Sequence, residues 1–124
     1  MRELAVVAAG GAIGAGMRWW LGGLMAERLG AYFPWHTLVV NISGAFLLGV
    51  LMALSAERGI LSQEWRLFAG VGVLGGYTTF STLAYESMRL LEQGLWTQGL
   101  GNMFGSGLAG LVAVVAGLAL GRVL

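Results

Sequence analysis

Hydrophobic residues along this chain fall into four long runs, over about 4–24, 35–55, 67–88 and 101–121, separated by short stretches that hold most of the charge. Each run has about 20 residues, enough at about 1.5 Å per residue to cross roughly 30 Å of hydrocarbon as an α-helix. Four spanning helices use nearly the whole chain, so residues 1–124 read as a single membrane domain without an internal repeat. The connections, Met25 to Pro34, Ala56 to Arg66 and Arg89 to Leu100, carry Glu27, Arg28, Glu57, Arg58, Glu64, Arg66, Arg89 and Glu92. Trp35, Trp65 and Trp96 fall near span ends, where amphipathic indoles anchor at headgroups.

The third run is interrupted by Gly75-Gly76-Tyr77-Thr78-Thr79-Phe80-Ser81-Thr82. Gly70, Gly72, Gly75 and Gly76 lower the helical preference ahead of Thr78, Thr79, Ser81 and Thr82, whose hydroxyls can replace lost main-chain bonds. Two structures fit: a helix broken inside the membrane, or a continuous glycine-rich helix whose hydroxyls bond back to the preceding turn. The density of unusual positions favours the break, because non-helical backbone at that depth must be satisfied by protein or water. Carbonyls converging at a break suit a small cation, whereas exposed N–H groups and hydroxyls suit an anion.

Composition narrows the class. With 57% hydrophobic and 10% charged residues and a mean hydropathy of +0.78, 124 residues do not make a soluble domain. The 22 glycines point to helices packed backbone to backbone. The absence of cysteine excludes a disulfide framework and a thiolate metal site, and a lone His36 excludes a multi-histidine site within one chain. The net charge of +1 rests on scattered arginines, which make no basic patch for nucleic acid. The first run is long enough to span and lacks a polar cleavage region, so no cleavable signal sequence is expected.

If the spans alternate, Arg2, Arg58, Arg66 and Arg122 lie on one side, and Arg28, Arg89 and Arg18 near the end of the first span lie on the other. Such near balance gives little inside-positive bias. It permits insertion in both orientations and an antiparallel homodimer, and it equally permits one fixed orientation with noisy counts. Four helices of this size scarcely enclose a wide route, so transport points to an oligomer whose neighbours line the path.

Several polar residues sit within the runs. Thr37, Asn41 and Gly44 share one face of the second span. The Asn41 amide either donates to a passing anion or bonds another helix and fixes packing. Phe80 lies inside the polar segment of the third span, and its weakly electropositive ring edge can face an anion, although most such rings only pack. Asn102, Ser106, Gly110, Ala113 and Gly117 form a narrow stripe on the fourth span, a packing seam that Ser106 can extend as a hydrogen-bonding track. Arg18 must snorkel, pair or face an aqueous vestibule, as anion attractor or interfacial anchor. Glu86 closes the third span where it can pair with an arginine, and His36 beside Trp35 reads as interfacial.

Apart from Glu3 at its mouth, the first span has no acid, and none lies in the core of the second or fourth. This argues against a proton-coupled exporter, which needs a titratable group in its route. No nucleotide-binding loop, metalloprotease motif or serine–histidine–acid set supports enzymology. Passive conduction is favoured over pumping, with a transporter or an interaction subunit as the other readings.

These residues resemble the pattern of the small fluoride channels, the Fluc or CrcB family. The matching pieces are Gly10-Gly11-Ala12-Ile13-Gly14-Ala15-Gly16-Met17-Arg18, Thr37-Leu38-Val39-Val40-Asn41-Ile42-Ser43-Gly44, and Gly70-Val71-Gly72-Val73-Leu74-Gly75-Gly76-Tyr77-Thr78-Thr79-Phe80-Ser81-Thr82. The resemblance implies an all-α integral membrane protein with a broken third helix, in the prokaryotic plasma or inner membrane among lipid. It also implies an antiparallel, dual-topology homodimer with two narrow fluoride pathways lined by Asn41 and Phe80, with hydroxyls from Thr79, Ser81 and Ser106. Backbone oxygens of Gly75 and Thr78 from both subunits would hold a structural sodium ion, and Arg18 would stand near the aqueous entrance. The function implied is passive fluoride export from the cytoplasm. Two positions depart from the pattern: Leu83 replaces a second phenylalanine, and His36 replaces a glycine before Thr37.

Overall fold

The computed structural model describes residues 1–30 and 32–124, so one residue of the Met25 to Pro34 connection lies outside the described residues. Among the described residues, four helices long and apolar enough to cross a membrane run over Arg2–Leu29, Trp35–Glu57, Gln63–Glu92 and Trp96–Val123. They outrun the apolar runs because charged end residues such as Glu27 and Arg28 continue the helix beyond hydrocarbon depth. The first helix closes at Gly30, whose positive φ of 78° lets its amide bond back to the Ala26 carbonyl. Ser62 caps the third helix by accepting from the Trp65 N–H.

Consecutive helices run up and down. Arg2 pairs with Glu64 at 3.0 Å, and Arg122 pairs with Glu57 through two bonds of 2.7 and 2.8 Å. The starts of the first and third helices therefore share one end of the bundle with the finishes of the second and fourth. Both pairs are solvent-exposed, so they mark topology more than they stabilise it.

Packing is carried by close backbone approach rather than by large side chains. The first helix lies against the third, where a methyl on Gly14 would collide with the Val73 carbonyl and sit 2.8 Å from the Tyr77 nitrogen. The second lies against the fourth, where a methyl on Gly117 would collide with the Phe46 carbonyl and sit 3.0 Å from the Val50 nitrogen. Buried hydrophobic residues are correspondingly few, Val40, Ala53 and Ala113 with the larger Tyr77, Leu83 and Leu90 among the described residues, while Trp19, Trp20, Leu111 and Val115 face outward. That distribution fits a bundle solvated by lipid, in which small residues let helices meet and large ones meet acyl chains.

The third helix changes form along its length. It opens with an α-turn at Gln63–Trp65, widens to π-helix over Arg66–Leu74 and returns to α over Gly75–Tyr77. Thr78 and Thr79 are extended, with φ, ψ of −85°, 158° and −151°, 121°, and a helix resumes over Phe80–Glu92. A second π turn closes the second helix at Ala53–Glu57. The glycine content marked the third helix as weak, but the π winding had no distinct sequence signal.

Candidate functional site

The extended pair in the third helix leaves backbone groups that need partners, and each can be followed. The Leu74 carbonyl accepts from both the Thr78 N–H and the Thr78 hydroxyl, each at 3.0 Å. The Gly76 carbonyl accepts from Arg18 Nε at 3.2 Å. The Thr79 N–H donates to Asn41 Oδ1 at 2.8 Å, while the Thr79 carbonyl accepts from Asn41 Nδ2 at 2.9 Å. The Thr79 N–H, the helical donor to the Gly75 carbonyl, is taken by Asn41, and the Thr78 carbonyl has no hydrogen-bond donor among the described residues. Both carbonyls lie where the negative end of the helix dipole emerges.

Asn41 thus holds a main-chain N–H and C=O of one residue with a single amide, the bonding that a strand neighbour would supply. One Nδ2 hydrogen remains beyond this pair. The Thr79 hydroxyl caps the resumed helix by accepting from the Thr82 N–H at 3.2 Å, and it donates to the Thr82 hydroxyl at 3.0 Å with Ser81 Oγ at 3.5 Å. Tyr77, buried, meets Ser43 through their hydroxyls at 2.9 Å. Phe80 stands at the other extreme, 70% exposed immediately after the break. Leu83, one turn on, is only 6% exposed and belongs to the chain's own core.

A cleft of about 240 Å³ opens beside the break, lined by Asn41, Gly44, Gly70, Gly75, Thr78 and Val114 among others. Gly75 is exposed there. Among the described residues no three of His, Asp and Glu gather as metal ligands, so any cation at this position would be held by the hard oxygens of the carbonyls. The two carbonyls of Gly75 and Thr78 fit that role by chemistry and by their place at the cleft. They are too few from one chain to complete a coordination shell.

Arg18 is half-buried and directed at the end of the helix that stops at Tyr77. Its own carbonyl lies 2.9 Å from His36 Nε2, and the same imidazole fills the space a side chain on Gly22 would occupy. His36 therefore ties the first helix to the second rather than standing free at the interface.

A second polar cluster lies between the third and fourth helices. Asn102 Nδ2 donates to Ser87 Oγ at 3.0 Å, and the Ser106 hydroxyl reaches Asn102 Oδ1 at 3.5 Å. All three residues are buried. No hydrogen bond joins Ser106 to Asn41 or Thr79, so the candidate residues form two groups, with Phe80 outside both. Ser87 went unremarked in the sequence, although seven residues after Phe80 and four after Leu83 it shares their helix face.

Glu86 takes a different partner from the arginine expected of it. It accepts a short hydrogen bond from the hydroxyl of fully buried Thr37 and stays within the protein. Beyond it a cavity of about 720 Å³ opens, lined by Glu86, Arg89, Gln93 and Gln98 with Tyr32, Pro34, Leu90 and Leu95.

Comparison with known proteins places this chain. A family model described as "CrcB-like protein, Camphor Resistance (CrcB)" matches residues 5–118. A relative from Thermus thermophilus named "Fluoride-specific ion channel FluC" is 49% identical over 124 residues, which cover 100% of this chain and 98% of that one. Relatives of the same name from Chloroflexus aurantiacus and Agrobacterium fabrum are 43% and 45% identical over 122 residues, covering 98% of this chain and 97% and 98% of theirs. Four apolar helices and this family match make the chain a multi-pass membrane protein, and its relatives are named for an ion channel rather than an enzyme. This chain belongs to the CrcB family.

Proposed function

We propose that this protein is a fluoride-selective channel of the cell membrane. The observation that carries the reading is the extended Thr78-Thr79 pair clamped by Asn41, in a chain whose full-length relatives are named fluoride-specific ion channels. Fluoride holds its water tightly, so conduction needs donors that replace part of the hydration shell without trapping the ion. The free Nδ2 hydrogen of Asn41, the hydroxyl of Ser81, those of Thr79 and Ser106 on turning away from Thr82 and Asn102, and the edge of the Phe80 ring supply graded donors of that kind. Chloride, larger and more weakly hydrated, gains less from the same donors.

In this reading the working unit is an antiparallel, dual-topology homodimer with two pathways, and fluoride leaves the cytoplasm passively down its electrochemical gradient. The near balance of arginines between the two ends supports it, as does Phe80, an aromatic left 70% exposed at the heart of the polar segment. The break in the third helix is then the centre of the dimer. There the carbonyls of Gly75 and Thr78, doubled by a second copy, would hold a structural sodium ion. Bound sodium would neutralise the converging carbonyl dipoles and lock the two copies together.

Fluoride efflux from liposomes, with Phe80→Ile and Ser106→Ala beside the parent protein, tests the pathway. Both variants should fold as dimers and lose flux, the first more than the second. Parental flux in a dimeric Phe80→Ile would remove Phe80 from the route. Accessibility labels placed at Arg2 and Arg28 should each react from both sides of the membrane; one-sided labelling of each would exclude dual insertion.

A further inference from the structure

We infer that Arg18 is a positioning residue for the break in the third helix, acting through its Nε–H as a neutral donor would, and not as an anion attractor. The bond is specific in its atom. Nε, not a terminal nitrogen, meets the Gly76 carbonyl at 3.2 Å, so the contact uses the inner edge of the guanidinium. Arg18 reaches the third helix from the first at a crossing that already admits no side chain at Gly14, which fixes the distance between the two backbones. Its position is further held because its carbonyl lies 2.9 Å from His36 Nε2.

What the bond does follows from the backbone inventory. Where the helix stops at Tyr77, the carbonyls of its last turn lose their helical donors. Leu74 is served by Thr78, and Gly76 by Arg18. The Thr79 N–H that would serve Gly75 is drawn off by Asn41, and the Thr78 carbonyl is left open. By holding Gly76 toward the first helix, Arg18 determines which oxygens face the cleft lined by Gly75 and Thr78. Together with the Asn41 clamp on Thr79, it grips the interruption on both sides.

The side chains that separate donor from charge are set by geometry. A glutamine places its amide nitrogen at the same remove from the backbone as arginine Nε, so Arg18→Gln keeps the donor and drops the charge. Arg18→Leu keeps neither. The inference rests on the channel reading only for its flux and sodium readouts, and amide exchange supplies one that does not. In the purified full-length protein, Arg18→Leu should speed amide exchange at Thr78 and Thr79 by about tenfold, the equivalent of one lost hydrogen bond. It should raise the sodium concentration giving half-maximal fluoride flux by a similar factor, about tenfold. Arg18→Gln should stay within about threefold of the parent in both, because the donor remains.

A charge role predicts the opposite pattern. A guanidinium beside a cation site repels the cation, so both uncharged variants would then bind sodium more tightly, and both would lose fluoride flux alike. Equal behaviour of the Gln and Leu variants, or unchanged exchange in Arg18→Leu, overturns the inference. If the parent protein carries fluoride without any sodium dependence, the cation reading fails, and the exchange series alone still decides for or against the clamp.

Discussion

Asn41→Ala is the perturbation with the most to say about the break. It removes two hydrogen bonds at once and leaves the N–H and C=O of Thr79, itself only 9% exposed, without their partners. A buried main-chain group left unpaired costs about 1–3 kcal/mol, so losing both should destabilise the extended conformation by about 2–4 kcal/mol after local relaxation. That is roughly a 30- to 700-fold loss in the population of the clamped state. Amide exchange at Thr79 should rise by that order, and fluoride efflux from liposomes should fall with it. Asn41→Asp keeps an acceptor for the Thr79 N–H but sets a carboxylate oxygen against the Thr79 carbonyl and a negative charge beside the proposed anion route. Its flux should fall at least as far as that of the alanine variant. Unchanged Thr79 exchange in Asn41→Ala, with flux lost, would refute the clamp and leave Asn41 as an ion contact only.

Three further outcomes follow from the packing. Gly14→Ala should cost about 1–3 kcal/mol or more by forcing the first and third helices apart, read as loss of folded protein in mild detergent, whereas Gly16→Ala, where nothing lies within 4 Å, should be tolerated. Thr79→Val removes the helix cap while keeping the shape, and should lower stability by about 1 kcal/mol in a thermal melt, with faster exchange at the Thr82 amide. Leu83→Phe should overpack, since Leu83 is already 6% exposed, and lower the melting temperature by an amount equivalent to about 1–3 kcal/mol; a gain in flux at unchanged stability would show that this position has room for a second ring.

Much of this architecture is legible in the sequence because lipid allows few solutions. Runs of about 20 apolar residues have to be helices, and glycines in them have to be contacts. Gly14 and Gly117 are such contacts, each against a carbonyl of a facing helix. The segment from Gly75 to Thr82 stands out for the same reason, since glycines and hydroxyls crowd where hydrocarbon favours neither. Partnerships between distant residues are less accessible. Nothing in local sequence says that the Asn41 amide fits both groups of Thr79, that Arg18 reaches Gly76, or that Glu86 meets Thr37 rather than an arginine. These depend on how neighbouring helices cross, which tertiary packing sets. Ser87 illustrates the point: its helix face is readable by spacing, but its worth appears only when Asn102 is seen against it.

In the proposed function this chain, with no other protein, forms a passive route for fluoride that rejects chloride. Purified parent protein in liposomes loaded with both anions, with a potassium ionophore to carry counter-charge, tests it with ion-selective electrodes. Fluoride should leave rapidly and in proportion to its gradient, reversing when the gradient is reversed, while chloride stays behind. Equal loss of both anions, or no fluoride efflux from protein shown to be folded and dimeric, would contradict the account.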